Sequence, residues 1–125
     1  MARSGRRGIL VVEDDRDLRR LFGLMLSAAD FDVYEAEDGP AGLRMLEDNP
    51  GSIHLVFTDL GLPGLGGVEL ITRVKAARPG VKIIGTSGLG SAGVRETVME
   101  AGADDFFPKP FAIAEVIEKV KTLTE

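Results

Sequence analysis

The chain has 125 residues, 44% apolar and 28% charged, with 15 basic against 20 acidic side chains and a net charge of -5. That is enough for one domain with its own core, and the acidic balance argues against a nucleic-acid partner. Cysteine is absent, which removes disulfides, thiolate catalysis and cysteine-bound zinc, and no apolar run nears the roughly 18 residues of a membrane span, so a cytoplasmic protein without membrane contact is expected.

Residues 1–8 carry Arg3, Arg6 and Arg7 among Ser and Gly and read as a flexible, solvated basic tail; residues 9–125 read as a single domain. Ile9-Leu-Val-Val12 is short, continuous and rich in β-branched residues, as in a buried strand. Asp15 then opens a helix as its N-cap, with Leu18, Leu21, Phe22 and Met25 expected on the face toward a sheet, down to Ala29. Phe31-Asp-Val-Tyr34 reads as a second strand, and Asp38-Gly-Pro40 starts a second helix with Leu43 and Leu46 inward. A third strand spans Ile53 to Thr58 and contains the lone histidine, His54, which reads as structural because it has no Cys or His companion. A third helix from Val68 to Arg78 stops before Pro79, and a fourth strand runs from Val81 to Gly85. Val94 to Ala101 is a fourth helix closed by Gly102; Phe106-Phe107 belongs to a fifth strand, and Ile113, Val116, Ile117 and Val120 stripe a fifth helix. Strict strand-helix alternation predicts an α/β fold: a doubly wound, five-stranded parallel sheet with helices on both faces.

In such a sheet the binding crevice lies beyond the carboxyl ends of the strands. Glu13 and Asp14 follow the first strand, Asp59 the third, Thr86 and Ser87 the fourth, and Lys109 the fifth. Three carboxylates in one crevice repel one another unless a cation neutralises them, and magnesium suits a site of few carboxylates that leaves room for phosphate. With phosphate present, Asp59 would serve as the nucleophile of an aspartyl-phosphate. Lys109 would offset charge on the phosphoryl oxygens and the Ser87 hydroxyl would donate to another of them. Each residue alone has an ordinary explanation as cap, turn residue or surface charge; the joint placement at the strand ends is what carries the chemistry.

One motif points elsewhere. Gly88-Leu-Gly90-Ser-Ala-Gly93 matches the G-x-G-x-x-G pattern of dinucleotide sites and lies between a predicted strand and a predicted helix. That reading also needs an acidic residue at the end of the next strand, about 20 residues on. This chain places Lys109-Pro110 there, and Asp104 and Asp105 come before the strand's end.

Taken together, Ile9-Leu-Val-Val-Glu-Asp-Asp15, Phe57-Thr-Asp59-Leu-Gly-Leu-Pro63-Gly and Gly102-Ala-Asp-Asp-Phe-Phe-Pro-Lys109-Pro110-Phe111 closely resemble the receiver domain of bacterial two-component response regulators, a (βα)5 flavodoxin-like fold. The resemblance runs from Ile9 to Leu123. It implies that Asp59 accepts a phosphoryl group from a histidine kinase or a histidine phosphotransfer domain. It also implies that Glu13, Asp14, Asp59 and the Gly61 backbone carbonyl hold Mg2+, and that Ser87 and Lys109 contact the phosphoryl group. It further implies a cis Lys109-Pro110 peptide, a switch role for Phe106, and a helix 4–strand 5–helix 5 surface that changes its affinity for a downstream protein, with no direct contact to nucleic acid.

The departures from the family pattern are Gly66 where Asp is frequent, Gly88 where Ala is frequent, Phe106 in place of Tyr, and the glycine-rich run from Gly88 to Gly93. In a receiver that run is the loop that closes over phosphate. Gly61 and Leu89 stand where relatives tune phosphate lifetime, and neither offers a polar side chain to position water. A magnesium-dependent phosphohydrolase with the same intermediate is the competing enzyme reading, but Gly61 interrupts the D-x-D pair that it requires. A phosphorylation-independent scaffold is a third reading, opposed by the complete set of acidic, hydroxyl and lysine residues. No output domain follows Glu125 in this sequence, which leaves a stand-alone regulator and an excised receiver both open.

Overall fold

The computed structural model describes residues 5–61, 65–88 and 93–125. Strands and helices alternate as β1 (Gly8–Val12), α1 (Arg16–Ala28), β2 (Asp32–Ala36), α2 (Gly39–Asp48), β3 (Ile53–Asp59), α3 (Gly67–Ala77), β4 (Lys82–Ser87), α4 (Val94–Ala101), β5 (Asp105–Pro108) and α5 (Ile113–Leu123). The strands form one sheet in the order β2-β1-β3-β4-β5, and every pairing is parallel. The order reverses between β1 and β3, and the crevice opens at their carboxyl ends.

Alternation along each strand feeds two separate cores, because successive side chains point to opposite faces. Ile9 and Val11 join Leu55, Phe57 and Ile84 beneath α1 and α5, together with Phe22, Leu26, Val116 and Val120. Leu10 and Val12 join Val56, Ile83 and Phe106 beneath α2, α3 and α4, together with Leu46, Leu70, Ile71, Val74 and Val98. Both faces of the sheet are therefore covered, which is why β1 reads as an unbroken apolar run. On the α1/α5 side Phe22, Phe57 and Phe111 cluster, with ring centroids 4.5, 5.6 and 5.9 Å apart. Fully burying a ring such as Phe22 contributes about 1.5–3 kcal/mol.

The orientation of α1 differs from the sequence expectation. Phe22, Gly23 and Leu26 are its buried residues, whereas Leu21 and Met25, expected inward, are 44% and 37% exposed. The aromatic cluster is the physical reason, because Phe22 packs on Phe57 and Phe111, and this brings the adjacent Gly23 against β2. A Cβ there would stand 3.2 Å from Glu35 Oε2 and 3.7 Å from Val33 Cγ1. The helix is thus turned toward Gly23, and the side carrying Leu21 and Met25 faces outward.

Strand limits also shift. β1 begins at Gly8, β2 runs from Asp32 to Ala36, β3 continues to Asp59 and β4 to Ser87. Pairing of Thr58 with Gly85, Asp59 with Thr86 and Ser87 with Pro108 holds the polar ends in the ladder. Composition alone ends those strands early, since Asp59 and Gly85 are of residue types depleted in strands. Gly102 closes α4 at φ 121°, a backbone conformation open to glycine but strained for other residues. His54 has the structural role expected of it, its Nδ1 accepting from the Gly8 amide at 3.1 Å.

Candidate functional site

Four elements deliver the site. Glu13 and Asp14 follow β1, Asp59 ends β3, Ser87 ends β4 and Lys109 follows β5. Glu13, Asp14 and Asp59 each present a carboxylate oxygen within 4.8 Å of the others. Glu13 is 1% exposed and Asp59 8%, while Asp14 lies at the surface. An oxygen-only donor set at one crevice fits a hard divalent cation, which takes carboxylates and keeps water in its remaining positions.

Lys109 enters the same cluster from the opposite side. Its Nζ donates to Asp59 Oδ2 at 2.8 Å and to Glu13 Oε1 at 3.3 Å. The Lys109-Pro110 peptide is cis, and the Lys109 amide donates to the Ser87 carbonyl at 2.9 Å. The remaining oxygens are engaged by main chain: Asp59 Oδ1 accepts from the Gly61 amide and Glu13 Oε2 from the Asp15 amide, both at 2.9 Å. Among the described residues no buried side-chain polar atom lacks a partner. Asp15 also caps α1 as expected, its Oδ1 accepting from the Asp17 and Leu18 amides.

The electrostatics follow from this crowding. Burial pushes the Glu13 carboxyl above its usual value; the Asp15 amide opposes this, the Asp14 side chain and the Asp59 charge add to it, and Lys109 opposes it last. Partial burial is the largest single influence on Lys109 and would lower it. The hydrogen bond and charge of Asp59, followed by Glu13, together outweigh burial and hold the ammonium above its usual value. One lysine therefore bridges two carboxylates, and its single charge offsets only part of theirs.

The expected site residues divide by what the structure does with them. Glu13, Asp14, Asp59 and Lys109 converge directly. Ser87 is 3% exposed at the end of β4 and is tied to Lys109 through its carbonyl. Gly61 meets Asp59 through its amide. Phe106 is 7% exposed and belongs to the α2/α3/α4 core, with its carbonyl accepting from Arg95 at 3.1 Å. Leu89 and most of the Gly88 to Gly93 run, residues 89–92, lie outside the described residues, as do Pro63 and Arg3.

Thr86 stands at the fourth strand end without an assigned role in the sequence reading, and Arg19 escaped that reading. Thr86, fully buried beside Ser87, donates its hydroxyl to the Phe107 carbonyl at 2.6 Å and stitches β4 to β5. Arg19, from α1, donates to the Glu13 carbonyl at 2.7 Å. No sequence signal separates it from Arg16 and Arg20 on the same helix.

Fold and site together define a phosphate-oriented acidic crevice on a flavodoxin-like sheet, and the comparisons agree with that class. Residues 9–121 match the family described as the response regulator receiver domain. The Mycobacterium tuberculosis transcriptional regulatory protein PrrA is 37% identical over 116 residues, which cover 92% of this chain and 48% of that protein. Among solved structures, a CheY-like receiver domain protein from Methanospirillum hungatei JF-1 superposes with a TM-score of 0.88 at 29% identity, over 94% of this chain and 93% of that one. The receiver domain of NtrX from Brucella abortus gives a TM-score of 0.84 at 30% identity, over 93% and 97%. This chain belongs to the receiver-domain family of two-component response regulators. It spans about half the length of the PrrA relatives it matches.

Proposed function

We propose that this domain is a phosphoacceptor whose Asp59 takes a phosphoryl group from the phosphohistidine of a kinase or phosphotransfer domain. The observation that carries the reading is the Lys109 bridge, with Nζ 2.8 Å from Asp59 and 3.3 Å from Glu13. It supports the reading because a cation lies against Asp59, where phosphoryl charge would arrive, beside a carboxylate cluster that suits Mg2+. A carboxylate oxygen of Asp59 attacks phosphorus, the phosphorus–nitrogen bond of the donor breaks, and the imidazole keeps the electron pair. When bound, Mg2+ supplies charge neutralisation and a fixed position for phosphoryl oxygens. Glu13, Asp14, Asp59 and the Gly61 carbonyl would hold it. Lys109 would move its hydrogen bond from Asp59 to the incoming phosphoryl group, and the Ser87 hydroxyl would donate to another oxygen.

The output follows from the β4–β5 connection. Ser87 and Lys109 are joined through main chain, and Phe106 is packed between β5 and α4. A shift of Ser87 toward phosphate would thus reach Phe106 and the α4–β5–α5 surface, changing its affinity for a downstream protein. The names of the PrrA relatives point to transcription; with its net charge of -5, this domain's own surface suits protein rather than DNA. The chain acts in the cytoplasm as a signalling domain and not as an enzyme on metabolites. Among the described residues no helix is long and apolar enough to cross a membrane.

Intact mass after incubation with Mg2+ and acetyl phosphate tests the reading. A single phosphoryl adduct is expected, absent in Asp59→Asn and without metal. An adduct that persists in Asp59→Asn, or none in a wild-type protein that binds Mg2+, would overturn it.

A further inference from the structure

We infer that Arg19 is a positioning residue that holds the Glu13–Asp14 loop ready for Mg2+, an inference that rests on the phosphoacceptor reading above. Its side chain is 15% exposed and its guanidinium is used twice. Nη1 donates to the Glu13 carbonyl at 2.7 Å, and Nε donates to Glu35 Oε1 on β2 at 3.2 Å. A planar fork holds both acceptors in one pre-organised geometry, which a rotatable ammonium on a flexible stem does less well.

The geometry sets this contact apart from an ordinary surface ion pair, worth about 0–1 kcal/mol. Arg19 ends on main chain, at the residue whose carboxylate is the most buried member of the acidic cluster. With Arg19 in place, each polar group of Glu13 has a partner: its amide donates to the Ala36 carbonyl at 3.0 Å, its carboxylate meets the Asp15 amide and Lys109, and its carbonyl meets Arg19. Carboxylate repulsion works to spread this loop, and Arg19 resists the spreading through the one group that the cluster does not use.

Gly23 and Glu35 complete the device. A Cβ at Gly23 would stand 3.2 Å from Glu35 Oε2 and 3.8 Å from its carboxyl carbon. The bare backbone of Gly23, one turn beyond Arg19 on α1, leaves the space in which the Glu35 carboxylate lies against the helix and meets the guanidinium. Glu35 thereby meets Arg19, whose other contact is the Glu13 carbonyl of the acidic loop.

Magnesium titration followed by calorimetry without any phosphodonor, with urea unfolding of each variant, tests the role. Arg19→Gln is expected to weaken Mg2+ binding about tenfold, the lower end of the range for residues that orient metal ligands. Glu35→Gln should shift affinity in the same direction by less, and Arg19→Lys should recover part of the loss. In acetyl phosphate reactions Arg19→Gln should need correspondingly more Mg2+ for half-saturation, while its rate at saturating Mg2+ stays within about threefold of wild type. Wild-type Mg2+ affinity in both Arg19→Gln and Glu35→Gln, or a fall in saturated rate with affinity unchanged, overturns the role. Should Arg19→Gln fail to fold, Glu35→Gln decides by the same titration. Failure of the wild-type protein to bind Mg2+ would instead overturn the phosphoacceptor reading first, and this inference with it.

Discussion

Replacing Lys109 by Met keeps most of the side-chain volume and removes the only cation that the structure places between Asp59 and Glu13. The 2.8 Å contact to Asp59 represents about 6 kcal/mol of gross attraction at an effective dielectric constant near 20. Most of that is offset by the cost of withdrawing the ammonium from water, and its side chain keeps 28% exposure. The net loss expected in metal-free protein at pH 7 is about 1–2 kcal/mol, a fall of roughly 0.5–1.5 M in the urea midpoint. The loss has a defined pH dependence. Glu13 binds its proton more tightly folded than unfolded, so the stability associated with that proton is complete below the usual 4.5 and is lost as pH rises through the raised value. Removing Lys109 raises Glu13 further, so the deficit of the variant should shrink as pH falls toward 4.5. Lys109 is itself held above 10.5, so its stabilisation is present at neutral pH and is lost only as pH rises beyond that value. Magnesium and Lys109 neutralise the same carboxylates, and the rise in urea midpoint on adding Mg2+ should therefore be larger in Lys109→Met than in wild type. An equal or smaller rise, or a variant as stable as wild type without metal, would refute the account of Lys109 as the counter-ion of this cluster.

Asp15→Ala removes the acceptor for the Asp17 and Leu18 amides and should cost about 1 kcal/mol in urea unfolding. Its stabilisation by Mg2+ should not change, because the Asp15 amide that reaches Glu13 is retained. Phe22→Ala empties the centre of the aromatic cluster and should cost about 3–5 kcal/mol, whereas Leu24→Ser, at a position 71% exposed on the same helix, should stay within about 0.5 kcal/mol. Equal effects of these two substitutions in urea unfolding would contradict the burial of Phe22 and the exposure of Leu24.

Much of the fold was legible because the sheet is buried on both faces. Continuous apolar runs such as Ile9 to Val12 mark its strands, and Asp15, Asp38, Pro79 and Gly102 mark helix ends by local hydrogen bonding and backbone preference. The His54 reading was also accessible, since an isolated imidazole has few chemical options. Less accessible were the last residues of β3 and β4. Asp59 has little strand propensity of its own, Thr86 and Ser87 come after the strand-weakening Gly85, and all three stay in the ladder because neighbouring strands pair with them. Propensity is local; pairing is not.

The residues of the site were identifiable together rather than singly, since each lies at or just after the carboxyl end of a strand. Their types and order along the chain are covalent facts, and with the alternation of elements they determined the fold class, the acidic cluster and the lysine that answers it. Tertiary structure decided what depends on distance and facing. It brought Lys109 within reach of both Glu13 and Asp59, turned Leu21 and Met25 outward, and set Arg19 on the Glu13 carbonyl. The helix period alone leaves the rotation of α1 undetermined, because Leu18, Leu21, Phe22 and Met25 span a broad apolar arc. Packing of Phe22 on Phe57 and Phe111 selects one rotation, and that selection requires segments distant in sequence to meet.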